Sequence, residues 1–151
     1  METFQIYKNL ALLNELPADE AGAAFLDCCG SPEWVRRMVE ARPFSMIEVL
    51  YEKAETAWFS LSKTDWLEAF AANVQVGSDD WPLRHELAAV NGLYRDKFGF
   101  IFVLCTVRKT DDEILAICRA RFGNSVETEF KIAAEEQWKT IELRLSRLLE
   151  Q

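Results

Sequence analysis

The chain has 151 residues, half of them hydrophobic and 28% charged, which supplies a core for one globular domain and excludes general disorder. Its 25 acids outnumber 17 bases and leave a net charge of −8, so the surface repels phosphate backbones and no nucleic-acid partner is expected. No apolar run approaches the roughly 18 residues of a membrane helix, so no membrane partner is expected either.

The opening METFQIYKNLALLNELPADE mixes acids with apolar residues and lacks the pattern of a secretory leader. The closing RLLEQ carries no retention or peroxisomal address, and a cytoplasmic location is expected. Cys28, Cys29, Cys105 and Cys118 form no C-x-x-C pair, and His85 is the single histidine. Zinc sites of the usual kinds are thereby not expected, and the four thiols read as reduced and mostly buried.

The punctuation along the chain is helical. Ser31-Pro32-Glu33 opens a helix: Ser caps it, Pro takes the first turn where its missing N–H costs nothing, and Glu faces the positive end of the dipole. This helix runs to about Ala41 and stops before Arg42-Pro43. Ser45-Met-Ile-Glu48 reads as a capping box, and Ser62-Lys-Thr-Asp65 as a weaker relative. Between them Ile47, Leu50, Tyr51, Ala54 and Trp58 recur at helical spacing, and Trp66, Leu67 and Phe70 continue the pattern. Thr110-Asp-Asp-Glu113 is a further capping box, whose helix carries Ile114, Leu115, Cys118 and Phe122 and ends at Gly123-Asn124. From about Ser125 a long helix follows, striped by Val126, Phe130, Ala133, Trp138, Ile141, Leu145 and Leu148.

Phe98-Gly99-Phe100-Ile101-Phe102-Val103-Leu104-Cys105 is continuously apolar and rich in strand formers. Alone it reads as a buried strand, but no second segment could pair with it. A buried helix entered through Gly99 is the cheaper assignment. The expected architecture is a single all-α domain over residues 1–151, a bundle of six to eight helices.

No phosphate loop, Rossmann glycine pattern or nucleophile elbow is present. His85, in Arg84-His85-Glu86 at a helix start, reads as a solvated histidine or as a general acid or base beside Glu86. Trp34, Trp58, Trp66 and Trp138 lie on amphipathic helices and read as core. Trp81, in the polar stretch Ser78-Asp79-Asp80-Trp81-Pro82, is a candidate for ligand contact, while Asp79 and Asp80 read as a solvated capping turn rather than paired catalytic carboxylates. Arg36, Arg37 and Arg42 read as a solvated face.

Several phrases together, in this order and spacing, are similar to one family. They are Cys29-Gly30-Ser31-Pro32-Glu33-Trp34, Arg42-Pro43-Phe44, and Asp65-Trp66-Leu67-Glu68-Ala69-Phe70. Next come Asn91-Gly-Leu-Tyr94 with Lys97-Phe98-Gly99-Phe100-Ile101-Phe102-Val103, then Arg121-Phe-Gly-Asn124, Glu129 and Ile141-Glu-Leu-Arg144-Leu. Over nearly its whole length the chain resembles the OHCU decarboxylases (2-oxo-4-hydroxy-4-carboxy-5-ureidoimidazoline decarboxylases). The resemblance implies an all-α fold, usually a homodimer, acting on a small heterocyclic acid at the last step of urate breakdown, where loss of a carboxylate gives (S)-allantoin. It implies no metal and no organic cofactor. The family's site combines a histidine in a His-Pro-x-x-Gly phrase, a glutamate and a late arginine, with backbone groups of the Gly99, Phe100, Ile101 and Phe102 segment holding the ring.

The chain departs from that pattern at its chemistry. Asn73 and Val74 stand in the slots of the histidine and its proline, while Gly77 keeps its place. The glutamate-bearing loop looks shortened, since Gly77 is only seventeen positions from Tyr94. Arg144 matches the late arginine. Asparagine hydrogen-bonds but does not titrate, so it can orient a ring but cannot shuttle the proton that decarboxylation needs. Two readings follow. In the first the protein is a decarboxylase in which Arg144 holds the carboxylate, Asn73 orients the ring, and His85 and Glu86 handle protons. In the second it is a non-catalytic relative that binds a ligand or another protein.

Overall fold

The computed structural model describes residues 2–73 and 84–151, and Asp79, Asp80 and Trp81 lie outside them. The described residues form eight helices and no strand. They are α1 (Glu2–Glu15), α2 (Ala18–Leu26), α3 (Pro32–Ala41), α4 (Ile47–Phe59), α5 (Lys63–Ala71), α6 (Arg84–Phe98), α7 (Asp111–Arg121) and α8 (Val126–Glu150). None is long and apolar enough to cross a membrane.

Local chemistry accounts for most of the helix starts. Ser31 Oγ accepts from the Trp34 N–H at the head of α3, with Pro32 in the first turn. Ser62 Oγ accepts from the Asp65 N–H and donates to the Asp65 carboxylate at the head of α5. Thr110 makes the same reciprocal pair with Glu113 before α7, and Ser125 Oγ accepts from Thr128 N–H before α8. The expected box at Ser45 does not form. The cap of α4 is Met46, in an extended conformation and without a side-chain bond. Just upstream, Asn14 grips the Phe44 backbone, accepting from its N–H and donating to its C=O, each at 2.9 Å.

Two compact units divide the chain, with boundaries inside α5 and inside α8. The first comprises residues 1–69 and 138–151. Its core is built on Phe25, Trp34, Met38, Leu50, Ala54 and Trp58, all with no exposed surface. Phe25 lies edge-on to Trp34 and Phe44, and the Trp34 indole N–H donates to the Ala54 carbonyl, tying α3 to α4. Trp66 and Trp138 are only half-buried; Trp66 donates to the Trp58 carbonyl and Trp138 packs on Phe59. Arg36 and Arg37 are surface partners of Glu33, and Arg36 also pairs with Glu40. Arg42, expected on the same solvated face, is instead structural. Its guanidinium donates to the carbonyls of Leu13, Leu16 and Val39, satisfying groups that the ends of α1 and α3 leave open.

The second unit comprises residues 70–137. Phe70, Phe100 and Phe130 form a ring cluster with centroids 5.6–5.8 Å apart, and Tyr94 packs on Phe98, Phe100 and Phe102. The segment after α6 corrects the expectation of a buried helix. Gly99 does not open a helix but ends α6, with φ +85° and its N–H on the Arg95 carbonyl. Only glycine adopts that conformation without strain. Residues 101–106 then run without regular structure, yet Phe100, Ile101, Phe102 and Val103 are buried.

Candidate functional site

A buried segment with neither helix nor sheet must find other partners for its backbone. Here three helices supply them through side chains. Asn91 Oδ1 on α6 accepts from the Phe102 N–H at 3.1 Å, and Glu136 Oε1 on α8 accepts from the Cys105 N–H at 3.1 Å. Arg121 Nη1 on α7 donates to the Val103 carbonyl at 2.8 Å, and its guanidinium lies over the Phe102 ring. Arg121 is held in turn by Glu129, which has no exposed surface and accepts from Arg121 Nε, Tyr94 Oη and Asn124 Nδ2 at 2.6, 2.6 and 2.9 Å. Burial, and then the bond to Glu129, raise the Tyr94 hydroxyl far above its ordinary range, so it stays a donor. The backbone N–H and C=O of Ile101 have no hydrogen-bond partner among the described residues.

Asn73 follows α5 and is half-buried. Its N–H donates to the Phe70 carbonyl, and Phe70 stacks on Phe100, so this residue is built onto the same aromatic cluster as the irregular segment. Its Nδ2 donates to Gln137 Oε1 on α8, where Gln137 is 1% exposed. The result is a pair of carboxamides that hydrogen-bond and do not titrate. His85 and Glu86 occupy the first turn of α6 and are exposed. No hydrogen bond joins either of them to Asn73 among the described residues. Trp81 lies outside the described residues.

In the first unit, Arg144 on α8 is half-buried, and its Nη1 donates to the Cys28 carbonyl at 3.3 Å. It lines a cavity of about 180 Å³ with Ala24, Asp27, Cys28, Arg147 and Leu148. Burial pushes the Cys28 thiol up to about 11 and the Cys29 thiol to about 12, against the opposing pull of Arg144. Both thiols are therefore protonated and poor nucleophiles at neutral pH. No group of three or more metal-ligating side chains occurs among the described residues.

Asn91, Arg121, Glu136 and Gln137 had not been singled out as site residues from the sequence. A signal was present for two of them. Asn91 shares a stripe with Leu87, Tyr94 and Phe98, and Gln137 shares one with Phe130, Ala133, Ala134 and Ile141. A polar residue in an apolar register demands a buried partner.

The OHCU decarboxylase family profile matches residues 14–81 and 72–146. The two stretches overlap over residues 72–81. A uric acid degradation bifunctional protein of Arabidopsis thaliana is 36% identical over 146 residues, covering 80% of this chain and 45% of the relative. The OHCU decarboxylase of Haloferax volcanii is 28% identical, covering 91% of this chain and 94% of its own length. A solved OHCU decarboxylase, crystallised in the presence of (S)-allantoin, superposes with a TM-score of 0.77 at 36% identity, covering 84% of this chain and 97% of the other. A solved (S)-allantoin synthase gives the same score at 25% identity, covering 92% and 53%. This chain spans less than half the length of the bifunctional Arabidopsis relative. With the all-helical architecture and matches that together span most of the sequence, the chain belongs to the OHCU decarboxylase family.

Proposed function

We propose that the protein binds a ureidoimidazoline-type heterocyclic acid of urate breakdown and releases its carboxylate as carbon dioxide, yielding (S)-allantoin slowly for want of an imidazole at position 73. In the reaction the C–CO₂ bond breaks, its electron pair stays on the ring carbon, and a proton must reach that carbon. Arg144 is a full positive charge suited to a carboxylate or a ring oxygen. Asn73, held by Gln137, orients the ring, and the backbone of Gly99, Phe100, Ile101 and Phe102 lines the pocket, with Trp81 as a further contact. His85 and Glu86 are the candidates for the proton. The observation that carries this reading is the buried, side-chain-held segment with unpaired peptide groups at Ile101, in a chain of the OHCU decarboxylase family.

No cofactor enters this scheme, and the reading extends to a cytoplasmic homodimer whose chain acts as a single domain. Light scattering at micromolar concentration tests the dimer; a monomer mass removes that part.

The direct test supplies freshly made substrate and follows allantoin chirality by circular dichroism. Turnover above the buffer control is expected, and decay no faster than the control overturns the proposal. A histidine restored by Asn73→His is expected to raise the rate, since general acid–base help contributes roughly 10²–10⁴-fold.

One observation favours a second reading, a non-catalytic ligand-binding or protein-interaction relative. Asn73 is engaged with Gln137, while the side chains of His85 and Glu86 stand exposed and make no hydrogen bond among the described residues. Binding of (S)-allantoin without turnover, in both the wild type and Asn73→His, would select it.

A further inference from the structure

The segment after Gly99 is the least self-supporting stretch of the second unit. It has no helical or sheet ladder, and its backbone bonds run to the side chains of Asn91, Arg121 and Glu136, one on each of three helices. These bonds fall on Phe102, Val103 and Cys105, while the buried Phe100 and Ile101 that lead into them have none among the described residues. A buried residue whose peptide donor and acceptor are both unpaired is rare in a folded protein and marks a place where another molecule completes the bonding. A neighbouring N–H and C=O suit the edge of a ring that itself carries adjacent donor and acceptor groups, as a cyclic ureide does.

We infer that Asn91, with Glu136 and Arg121 beside it, is a positioning residue: it holds the Phe102 amide so that the Ile101 peptide group stays unpaired and rigidly available to a planar cyclic ureide. This inference rests on the proposed function, in which the 99–102 backbone lines the ligand pocket. Asn91 acts through the backbone and does not itself touch the ligand. It is 4% exposed and sits in the apolar stripe of α6 with Leu87, Tyr94 and Phe98, where its Oδ1 accepts from the Phe102 N–H. Arg121 works on the same segment from the other side, fixing the Val103 carbonyl while covering the Phe102 ring. An extended backbone released from these bonds samples other conformations, and the ligand then bears the cost of ordering it.

The test compares wild type with Asn91→Leu, which removes the acceptor at similar volume, and Asn91→Asp, which keeps it. Two readouts are used: hydrogen exchange of the Phe102 amide, and the dissociation constant for (S)-allantoin measured by titration. In Asn91→Leu the Phe102 amide is expected to exchange at least tenfold faster and affinity to fall about tenfold, the loss of roughly one hydrogen bond. Asn91→Asp is expected to lie closer to wild type in both. Unchanged Phe102 exchange in Asn91→Leu overturns the inference, as does faster exchange with unchanged affinity. If the wild type binds neither (S)-allantoin nor substrate, the proposed function falls, and Phe102 exchange still decides whether Asn91 positions the segment. Should Asn91→Leu not fold, Glu136→Met frees the Cys105 amide at the far end of the segment, and the same two measurements apply with the same expected direction.

Discussion

Replacing Glu129 by leucine isolates the polar node that supports the second unit. Glu129 has no exposed surface, and the Arg121 side chain is 9% exposed. Removing the carboxylate leaves a buried guanidinium whose remaining bond is the Val103 carbonyl, and Arg121 Nη2 already lacks a partner. Breaking one half of a buried pair in this way costs about 3–5 kcal/mol, far more than the pair contributes relative to apolar residues of the same shape. For a chain of this size each kcal/mol shifts the melting temperature by roughly 2–4 °C, so Glu129→Leu should melt some 6–20 °C below wild type. Thermal denaturation followed by circular dichroism, with urea midpoints as a second measure, reads the shift. The double variant Arg121→Met/Glu129→Leu removes both charges and should recover a substantial part of the loss, because no unpaired ion remains. A single variant melting within about 2 °C of wild type, or a double variant no better than the single, would refute the argument.

Other outcomes follow from the same geometry. Burial raises the Cys28, Cys29 and Cys118 thiols to about 11, 12 and 11, whereas Cys105 is half-buried. Iodoacetamide on the native protein should therefore modify Cys105 first, with the other three reacting only on unfolding; early labelling at Cys28 or Cys29 in a mass-spectrometric map contradicts this. The Arg36 and Arg37 guanidiniums beside Glu33 hold its carboxyl down to about 2, from an ordinary 4.5. Its contribution is thus fully present above pH 4.5 and is lost as the pH falls towards 2, so the stability gap between wild type and Glu33→Gln should close over that window and shrink with added salt. A gap that is constant from pH 6 to pH 2 in acid titrations of the unfolding free energy would show that the pair contributes nothing. Trp34→Ala, which empties a site with no exposed surface and breaks the bond to Ala54, should cost about 3–5 kcal/mol in urea unfolding; a loss below 1 kcal/mol would mean that the α3–α4 contact is not a core contact.

What the sequence by itself determined was everything set by near neighbours along the chain. The starts of α3, α5 and α7, the stop before Arg42-Pro43 and the long α8 rest on caps, prolines and 3.6-residue stripes, whose partners lie within four positions. The family was legible too, because its phrases are short, local and ordered. Tertiary structure decided what depends on partners far along the chain. The 98–105 segment looked like a strand without a mate or a buried helix, since nothing local announces that Asn91, Arg121 and Glu136 will satisfy its backbone from three helices. Ser45 does not cap α4, Phe44 just before it is held by Asn14 thirty residues away, and Arg42 left the solvated face to close the end of α1. Likewise, the sequence offered Asn73 as a candidate, but its engagement with Gln137, sixty-four residues later, was not legible there. Hydrophobic pattern specifies which face of a helix is buried; only the assembled unit specifies which polar groups meet inside it.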